Sequence, residues 1–479
     1  MEISQRDLLP ILARFNPWWQ GRKNENLPSW HRAVFKELYE WTMNPPVHRA
    51  VSLSGARQVG KTTLLLQLIQ KMLDDGVPAA NILYVTMDHP ILKLAGIDRV
   101  LEAWRELEPQ AEGIEYVFVD EIQTIKDWGT WVKLQVDFYK NRRIIFTGSA
   151  MTMQSEPQES GVGRWHVAKI GTLSFYEYLK IKGMSLDELP SLASLMELFS
   201  WDERRYIQCA QIAEKFLGHF HEYILRGGFP QTALVESITI AQRLVREDIV
   251  DKVLKRDMTV FYGIRHVREL EVTFLYLCLH DGGILDMSAL CSNLSVKRPT
   301  AQNFIELLES VHLVKRLAPY GYGKEVLRGR SKVYLADASI APAVLLRGKE
   351  LLEDSVTLGQ AVETAVFKHL VSRYYRQNIK FSYWKNKKNQ EVDFVAELDK
   401  TIIPFEVKYH EERASAKDVP GLLEFITKKE ASRGYVLTKS LDDFGPMRSQ
   451  EPGAEKIMKI PALLFCWWMG KGELDEFTI

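Results

Sequence analysis

Short apolar runs alternate with longer stretches of helical periodicity between residue 49 and about residue 180. Strands that alternate with helices indicate a mostly parallel sheet with helices on its faces. The preceding segment, residues 1–48, is polar and rich in Trp, and its pattern predicts one helix near 29–43. The apolar runs predict five β-strands, at 50–54, 82–87, 115–119, 143–147 and 166–170.

The strand signal fades after residue 180, where amphipathic periodicity predicts helices at 208–225 and 238–257. Residues 284–335 then show two helical stretches followed by two short apolar runs around a Gly-rich turn. This is the order of a winged helix, in which a two-stranded wing follows a helix-turn-helix. The last part predicts a helix at 355–373 and strands at 380–384, 391–397, 402–408 and 434–438.

These patterns predict an α/β multidomain chain with four segments. The first is a parallel α/β domain at 1–180, with 1–45 as an N-terminal extension. A helical segment at 181–280, a winged-helix module at 281–345 and a second α/β domain at 346–479 follow.

Composition narrows the class of protein but leaves its partners open. The 479 residues contain 62 basic and 62 acidic side chains, so neither a basic tail protein nor an acidic solvating chain fits. Zero net charge does not exclude DNA, because a basic face can lie within a neutral sum. The four cysteines form no CxxC pair, and Cys278, His280 and Cys291 lack a fourth metal ligand nearby. Without a signal peptide or a long apolar run, we expect a cytoplasmic protein with no membrane segment.

The strongest motif begins at Gly55 and ends at Thr62, with the pattern GxxxxGK[ST] between a strand and a helix. Glycines let the main chain wrap a phosphate, and the helix N-terminus adds partial positive charge. We expect Lys61 to reach the β- and γ-phosphates of ATP and the Thr62 hydroxyl to hold Mg²⁺. The candidate cofactor-binding residues in this loop are Gly55, Arg57, Gly60, Lys61, Thr62 and Thr63.

Two further strand ends predict the rest of an ATPase site. The run Glu115–Asp120 is a buried strand that ends in an acid, so Asp120 is predicted to bind the Mg²⁺ shell. The next residue, Glu121, is the candidate base that orients the attacking water. Another strand ends in hydroxyls, and Thr147 or Ser149 is predicted to contact the γ-phosphate or that water. An ordinary strand-end turn is the alternative for these two residues.

Several segments together resemble a large bacterial and archaeal group of AAA+-like ATPases with an uncharacterised C-terminal domain. The segments span roughly 45–440 and are GARQVGKTTLL, VDEIQ followed by Trp128, FTGSA, Gly163-Arg164, LSFYEYL, LRGGFP, Arg256-Asp257, KVYLAD and EVDF…FEVK. The resemblance implies a P-loop ATPase that assembles as a homo-oligomer, such as a ring, with sites completed across subunits. Arg164 is then a candidate arginine finger for a neighbouring nucleotide. Arg226 is a weaker alternative, and a surface salt bridge is the other interpretation of Arg164.

A second group of residues lies in the C-terminal segment. Asp393 and the Glu406-Val-Lys408 triplet fall on two predicted strands joined by a turn, and Glu363 lies on the preceding helix. In an antiparallel pair the two acids face one metal ion, and carboxylates suit Mg²⁺. The order resembles the PD-(D/E)XK nuclease core, in which Lys408 would position or activate water at a scissile phosphate. The alternative is a nuclease-like fold whose acids only form ion pairs.

Clustered cations suggest a surface for DNA. Window 311–332 has a net charge of +5, with Tyr320 and Tyr322 interleaved, and a second cluster lies near Trp384. A solvated loop or an interdomain contact is the alternative. The candidate DNA-binding residues are Lys297, Arg298, Lys315, Arg316, Lys324, Arg328, Arg330, Lys387 and Lys388, and Lys332 lies in the same window.

The sequence therefore predicts a Mg²⁺-dependent AAA+-like ATPase that acts on DNA, with a nuclease-like domain as a second metal site. Two other functions stay open. One is an ATP-dependent regulatory switch with an inactive nuclease-like interaction domain, and the other is a chaperone-like ATPase acting on proteins.

Overall fold

The computed structural model describes residues 4–24, 27–108, 113–148, 163–186, 188–323, 326, 329–399 and 401–475. The chain forms two compact units, Met1–Gly171 and Thr172–Ile479. Three sheets are present in the described parts, with five, six and two strands. Within the same described ranges, no helix has both the length and the apolar character needed to cross a membrane.

The first unit is built on a parallel sheet whose strand order is β2-β3-β4-β1-β5. All five strands predicted from the apolar runs are present. Both faces of such a sheet are covered, which is why its strands are apolar runs rather than alternating patterns. The strands are β1 Ala50–Ser54, β2 Ile82–Thr86, β3 Glu115–Asp120, β4 Arg142–Gly148 and β5 Trp165–Lys169.

Helices cover the sheet and bury one core that contains Val117, Val119, Phe146, Trp104 and Trp131. The helix at the amino terminus contributes Leu8 and Leu12 to this core. The helices are α1 Gln5–Phe15, α2 Val34–Met43, α3 Lys61–Asp74, α4 Pro90–Ala95, α5 Ile97–Leu107 and α6 Trp128–Phe138.

The N-terminal extension covers the edge strand β2. The Asn16 side chain accepts from the Tyr84 N–H at 2.7 Å and donates to the Tyr84 carbonyl at 2.9 Å. The indoles of Trp18 and Trp19 donate to the Ile82 carbonyl at 3.2 and 3.0 Å. An open edge strand is a template for unwanted pairing. The Trp-rich segment is therefore part of the first unit and satisfies this edge.

The second unit begins with helices. The predicted helix at 208–225 is two helices, α8 and α9, and the predicted helix at 238–257 is α11 followed by a π-helix at Val245–Asp257. The helices are α7 Phe175–Ile181, α8 Glu203–Glu214, α9 Leu217–Arg226, α10 Pro230–Leu234, α11 Ile238–Leu244, α12 Met258–Tyr262 and α13 Val267–Leu279.

Two helices and a two-stranded antiparallel ladder follow α13. The Asp286 carboxylate starts the first helix by accepting from two main-chain N–H groups of its first turn. Ile284 adds an antiparallel bridge to Lys332 at the edge of the ladder. The elements are α14 Met287–Leu294, α15 Arg298–Ser310, β6 Val314–Leu317 and β7 Lys332–Leu335.

The end of the chain forms a mixed sheet of order β12-β13-β11-β10-β9-β8. Strand β9 runs antiparallel to both β8 and β10, whereas β10, β11 and β13 run parallel. The elements are α16 Ile340–Val344, α17 Ser355–Tyr374, β8 Lys380–Lys385, β9 Glu391–Leu398, β10 Thr401–Lys408, α18 Pro420–Lys429, β11 Gly434–Thr438, β12 Gly445–Pro446, β13 Ile457–Pro461 and α19 Ala462–Asp475.

The ladder and this sheet are joined within the second unit. Pro319 forms a bridge to Tyr383, and the Tyr320 N–H donates to the Tyr383 carbonyl at 2.6 Å. The main chain after β6 therefore contacts the edge strand β8. The segments predicted at 281–345 and 346–479 consequently share one compact unit.

Candidate functional site

The loop between β1 and α3 has the backbone shape that a phosphate-binding loop requires. Gln58 and Gly60 have positive φ values of 58° and 95°. A Cβ on Gly55 would lie 2.2 Å from the Ile170 carbonyl oxygen, so only glycine fits there. The buried Lys61 ammonium donates to the carbonyls of Gly55 and Ala56 at 3.0 and 2.8 Å. The loop is thus folded around its own lysine, while Arg57 and Thr63 are half-buried in it.

Hydroxyl groups converge on the buried Asp120 carboxylate at the end of β3. The Thr62 hydroxyl donates to Asp120 Oδ2 at 2.7 Å, and the Tyr84 hydroxyl donates to the same oxygen at 3.0 Å. The Thr147 hydroxyl donates to Asp120 Oδ1. Burial, with the negative charge of Asp120, raises the pKa of Tyr84 far above its usual range, so this phenol stays a donor. Tyr84 had no motif to signal it, because it reaches Asp120 only by sheet pairing.

Glu121 follows Asp120 in a left-handed conformation, with φ of 55°. Its N–H donates to the Thr147 hydroxyl at 3.2 Å, and its carboxylate accepts from the Gln123 side chain. Thr147 can join both acids because β4 lies between β1 and β3, with Leu53 opposite Thr147. Ser149, the other predicted hydroxyl, lies outside the described residues.

This donor set fits Mg²⁺ and ATP. The Thr62 hydroxyl and the Asp120 carboxylate are hard oxygen ligands 2.7 Å apart, at the N-terminus of α3. The loop main chain and the Lys61 ammonium supply the donors for phosphate oxygens. The predicted residues of the two motifs are therefore brought together at one edge of the parallel sheet.

Comparison with known proteins bears on this site. Residues 47–179 match a family model described as an AAA domain. These residues form an AAA-type P-loop domain. The AAA domain thus lies on β1–β5, and the predicted resemblance to AAA+-like ATPases is confirmed for this part of the chain. Residues 217–351 and 358–457 match two models described as domains of unknown function, DUF8612 and DUF4143.

Two proteins that are named as uncharacterised are similar to this chain over most of its length. A protein of Methanocaldococcus jannaschii is 25% identical over 347 residues, covering 71% of this chain and 70% of the relative. A protein of Haemophilus influenzae is 24% identical over 368 residues, covering 74% of this chain and 82% of the relative.

Two solved structures are also similar to the chain. Cdc6p from Pyrobaculum aerophilum has a TM-score of 0.29 at 12% identity, covering 68% of this chain and 96% of that one. A DNA polymerase III gamma subunit-related protein from Thermotoga maritima has a TM-score of 0.26 at 14% identity, covering 58% and 97%.

The two arginine candidates differ in position. Arg164 precedes β5, which runs parallel to β1, so it lies at the sheet edge opposite the phosphate-binding loop of the AAA domain. Its guanidinium pairs with Asp137 at 2.8 Å. It therefore does not reach the loop of its own chain. Arg226 is buried in the second unit and donates to the carbonyls of Val235 and Glu236, which does not fit an exposed arginine finger.

The predicted C-terminal acids and lysine also meet. Asp393 on β9 lies opposite Glu406 on β10, because Phe394 pairs with Phe405. The Asp393 N–H donates to Glu406 Oε2 at 3.3 Å, and the Lys408 ammonium donates to Glu406 Oε1 at 2.7 Å. Burial raises the pKa of Glu406 to about 8 and that of Glu363 to about 7, with the charge of Asp393 adding to both. The cluster is therefore buried and crowded with acids.

One member of this cluster, Lys332, belongs to the basic window 311–332. Its ammonium is buried and lies 3.3 Å from Glu363 and 3.2 Å from Asp393. Among the described residues, no group of three or more His, Cys, Asp or Glu side chains is arranged to hold a metal ion. Two of the three predicted ligands, Glu363 and Asp393, therefore accept from an ammonium of the chain itself.

The predicted basic surface is weaker than its window of sequence indicated. Arg316 pairs with Glu309 at 2.7 Å, and Arg330 pairs with Asp286 at 2.8 Å. Tyr320 packs edge-on against Phe425, so it is not an exposed stacking group. The net charge of +5 includes only the acidic residue within 311–332. The partners Glu309 and Asp286 lie outside that range, in α15 and just before α14. Lys297, Arg298, Lys315, Lys387 and Lys388 are exposed, and Lys324 and Arg328 lie outside the described residues.

Proposed function

We propose that the chain is a Mg²⁺-dependent ATPase whose nucleotide cycle acts on DNA bound by the second unit. The observation that carries the ATPase part is the convergence of Thr62 and Thr147 on Asp120 beside the folded loop. This arrangement places a carboxylate and a hydroxyl, both ligands that suit Mg²⁺, at the N-terminus of α3.

The residues of the AAA domain divide the work. ATP would draw the Lys61 ammonium from the Gly55 and Ala56 carbonyls to its phosphates, since an ammonium binds an anionic oxygen more strongly than a neutral carbonyl. Glu121 would accept a proton from the attacking water and orient it. Thr147, bonded to Asp120 and to the Glu121 main chain, would couple the two acids. Thr62 and Asp120 would hold Mg²⁺, which when bound offsets negative charge on the phosphates.

The DNA part rests on the element order in the second unit. Three helices, α13 to α15, followed by the β6–β7 ladder and the Ile284 bridge, support the winged-helix assignment. Exposed Lys297 and Arg298 lie at the start of α15, the position from which a recognition helix contacts DNA. Lys387 and Lys388 add positive charge in the turn after β8. A role of Arg164 on the nucleotide of a second copy, in a homo-oligomer, stays part of this proposal.

The C-terminal domain supports a second candidate function. The order α17-β8-β9-β10-α18-β11 and the paired Asp393 and Glu406 are consistent with a PD-(D/E)XK-like fold. Lys332 within the acid cluster favours an inactive interaction domain over a nuclease. The second candidate is therefore an ATP-dependent regulatory switch that uses this domain to bind a partner.

ATP turnover separates these functions. We expect hydrolysis by the full chain to be stimulated by duplex, single-stranded, forked or four-way DNA. Lys61→Met should lower turnover by about 100-fold, the usual cost of one transition-state donor. Lys71→Met, on the same helix in an exposed pair with Asp75, is the matched control and should retain turnover. If no DNA changes the rate of ATP turnover, the chain is still an ATPase and the regulatory switch is favoured over action on DNA. Full ATPase activity in Lys61→Met would contradict both functions.

A further inference from the structure

Three acidic side chains converge in the second unit on one lysine from the β6–β7 ladder, and a fourth lies beside them. The Lys332 ammonium lies 2.5 Å from Glu391, 3.2 Å from Asp393 and 3.3 Å from Glu363. Glu406 is joined to the group through Asp393. The acids come from α17, β9 and β10, whereas the lysine comes from β7. The contacts therefore link two sheets through a single cation.

The ammonium has as many donors as there are carboxylates around it. A lysine has three N–H donors and no acceptor, and three carboxylates lie within 3.3 Å of Lys332. Its side chain is only 3% exposed. A buried charge without opposite charges is strongly unfavourable, so these carboxylates and this lysine stabilise one another.

A divalent metal would need the same oxygen atoms. Mg²⁺ binds oxygen at about 2.0–2.1 Å and demands a near-octahedral set. Asp393 Oδ1 already accepts from Lys332, and Oδ2 accepts from the Val407 N–H at 2.9 Å. Glu363 Oε1 accepts from Lys332 and, at 2.6 Å, from the Tyr334 hydroxyl. The ligand atoms of a metal site are thus bonded to donors of the chain itself.

The backbone holds the lysine in this place. Lys332 pairs with Leu317 in the ladder and bridges to Ile284 on its other side. Its neighbour Tyr334 packs against Phe367 and Phe394, which lie on the helix and the strand that carry the acids. Removal of the ammonium would require β7 to move or its side chain to leave a buried group of acids.

We propose that Lys332 is the resident cation of this cluster and takes the place of the divalent metal that the D…ExK pattern predicts. The full chain then binds no divalent ion at Asp393 and Glu406. This assignment does not depend on ATP hydrolysis, so its failure would leave the proposed ATPase untouched.

Binding of Mn²⁺ to the nucleotide-free full chain tests the proposal, with free Mn²⁺ measured by electron paramagnetic resonance. We expect the wild type, Asp393→Asn and Glu406→Gln to bind Mn²⁺ with equal stoichiometry. Any weak Mn²⁺ binding at the AAA domain is the same in these three proteins and therefore does not affect the comparison of their stoichiometries. Loss of one Mn²⁺ per chain in Asp393→Asn and in Glu406→Gln, both folded by circular dichroism, would overturn the proposal.

Removal of the ammonium gives the reverse test. Lys332→Met should bind one Mn²⁺ per chain more than the wild type, and the double variant with Asp393→Asn should lose that ion again. Lys332→Arg keeps the cation and is the matched control, for which we expect no gain. A folded Lys332→Met that gains no Mn²⁺ would overturn the proposal. If that variant does not fold, the comparison of the wild type with Asp393→Asn and Glu406→Gln still decides.

Discussion

Two buried lysines, Lys61 in the AAA domain and Lys332 in the second unit, show how the same side chain serves different purposes. Lys61 donates to two neutral carbonyls of its own loop, 3.0 and 2.8 Å away. Lys332 donates to three carboxylates from two elements, α17 and β9. The carboxylates offset the charge of the Lys332 ammonium, whereas the two carbonyls that Lys61 contacts carry no net charge. The motif therefore indicates the role of Lys61, whereas only the spatial partners of Lys332 indicate its role.

The largest expected effect is on stability and tests the difference between Lys332 and Lys61 directly. Lys332→Met should lower the free energy of unfolding by about 3–5 kcal/mol, because loss of one partner leaves buried charges uncompensated. Lys61→Met loses bonds to two carbonyls and should cost less, about 1–3 kcal/mol. Urea unfolding of both variants measures the difference. As a control, Lys428→Ala removes an exposed pair with Glu424 and should cost under about 1 kcal/mol. Equal costs for the two buried lysines would contradict the distinction.

A smaller effect is expected from pH. Burial, and then the charge of Asp393, raises the pKa of Glu406 to about 8, whereas an unfolded glutamate titrates near about 4.3. Between these values the folded chain holds a proton that the unfolded chain has lost, so stability falls as pH rises. One proton gives a limiting slope of about 1.4 kcal/mol per pH unit.

The measurement is urea unfolding between pH 6.5 and 8, in the wild type and in Glu406→Gln. This window lies above the range where buried His369, whose pKa is lowered to about 3, makes stability fall with acid. The glutamine variant should show a shallower decline. Identical slopes in the two proteins would show that Glu406 keeps an ordinary pKa and that the cluster is not closed to solvent.

The smallest effect concerns exposed and paired cations on the proposed DNA surface. Reversal of Lys297 and Arg298 to Glu should reduce the slope of log affinity against log salt by about 0.9 for each DNA phosphate that the variant no longer neutralises. Arg330→Glu should change it less, since Arg330 already pairs with Asp286. Titration of duplex DNA at several salt concentrations measures both. A larger reduction of the slope for Arg330→Glu would mean that its ion pair opens on binding.

The local patterns predicted most of the secondary structure. Strand β1 at Ala50–Ser54 and strand β11 at Gly434–Thr438 have the predicted bounds, because short apolar runs between polar turns have few other stable forms. The prediction of one continuous helix at 208–225 was wrong, since α8 and α9 are separate helices. Periodicity continues across such a break and does not mark it.

The sites divide in the same way. Lys61, Thr62 and Asp120 were predictable because a phosphate-binding loop and a strand-end acid are local patterns with a chemical reason. Tyr84 and Lys332 were not, because each reaches its acid through pairing or packing with residues distant in the chain. The ion pairs of Arg316 and Arg330 were not predictable for a similar reason, since their partners Glu309 and Asp286 lie outside the window 311–332.

The amino-acid sequence by itself determined the phosphate-binding loop, the strand-end acids and the alternation that builds the parallel sheet. These depend on neighbours along the chain, where spacing sets geometry. Only the tertiary structure decided which charges meet. Asp393, Glu406 and Lys408 are the residues of a metal-dependent nuclease pattern, but the fold adds Lys332, and Coulomb attraction acts over distance in space rather than along the sequence.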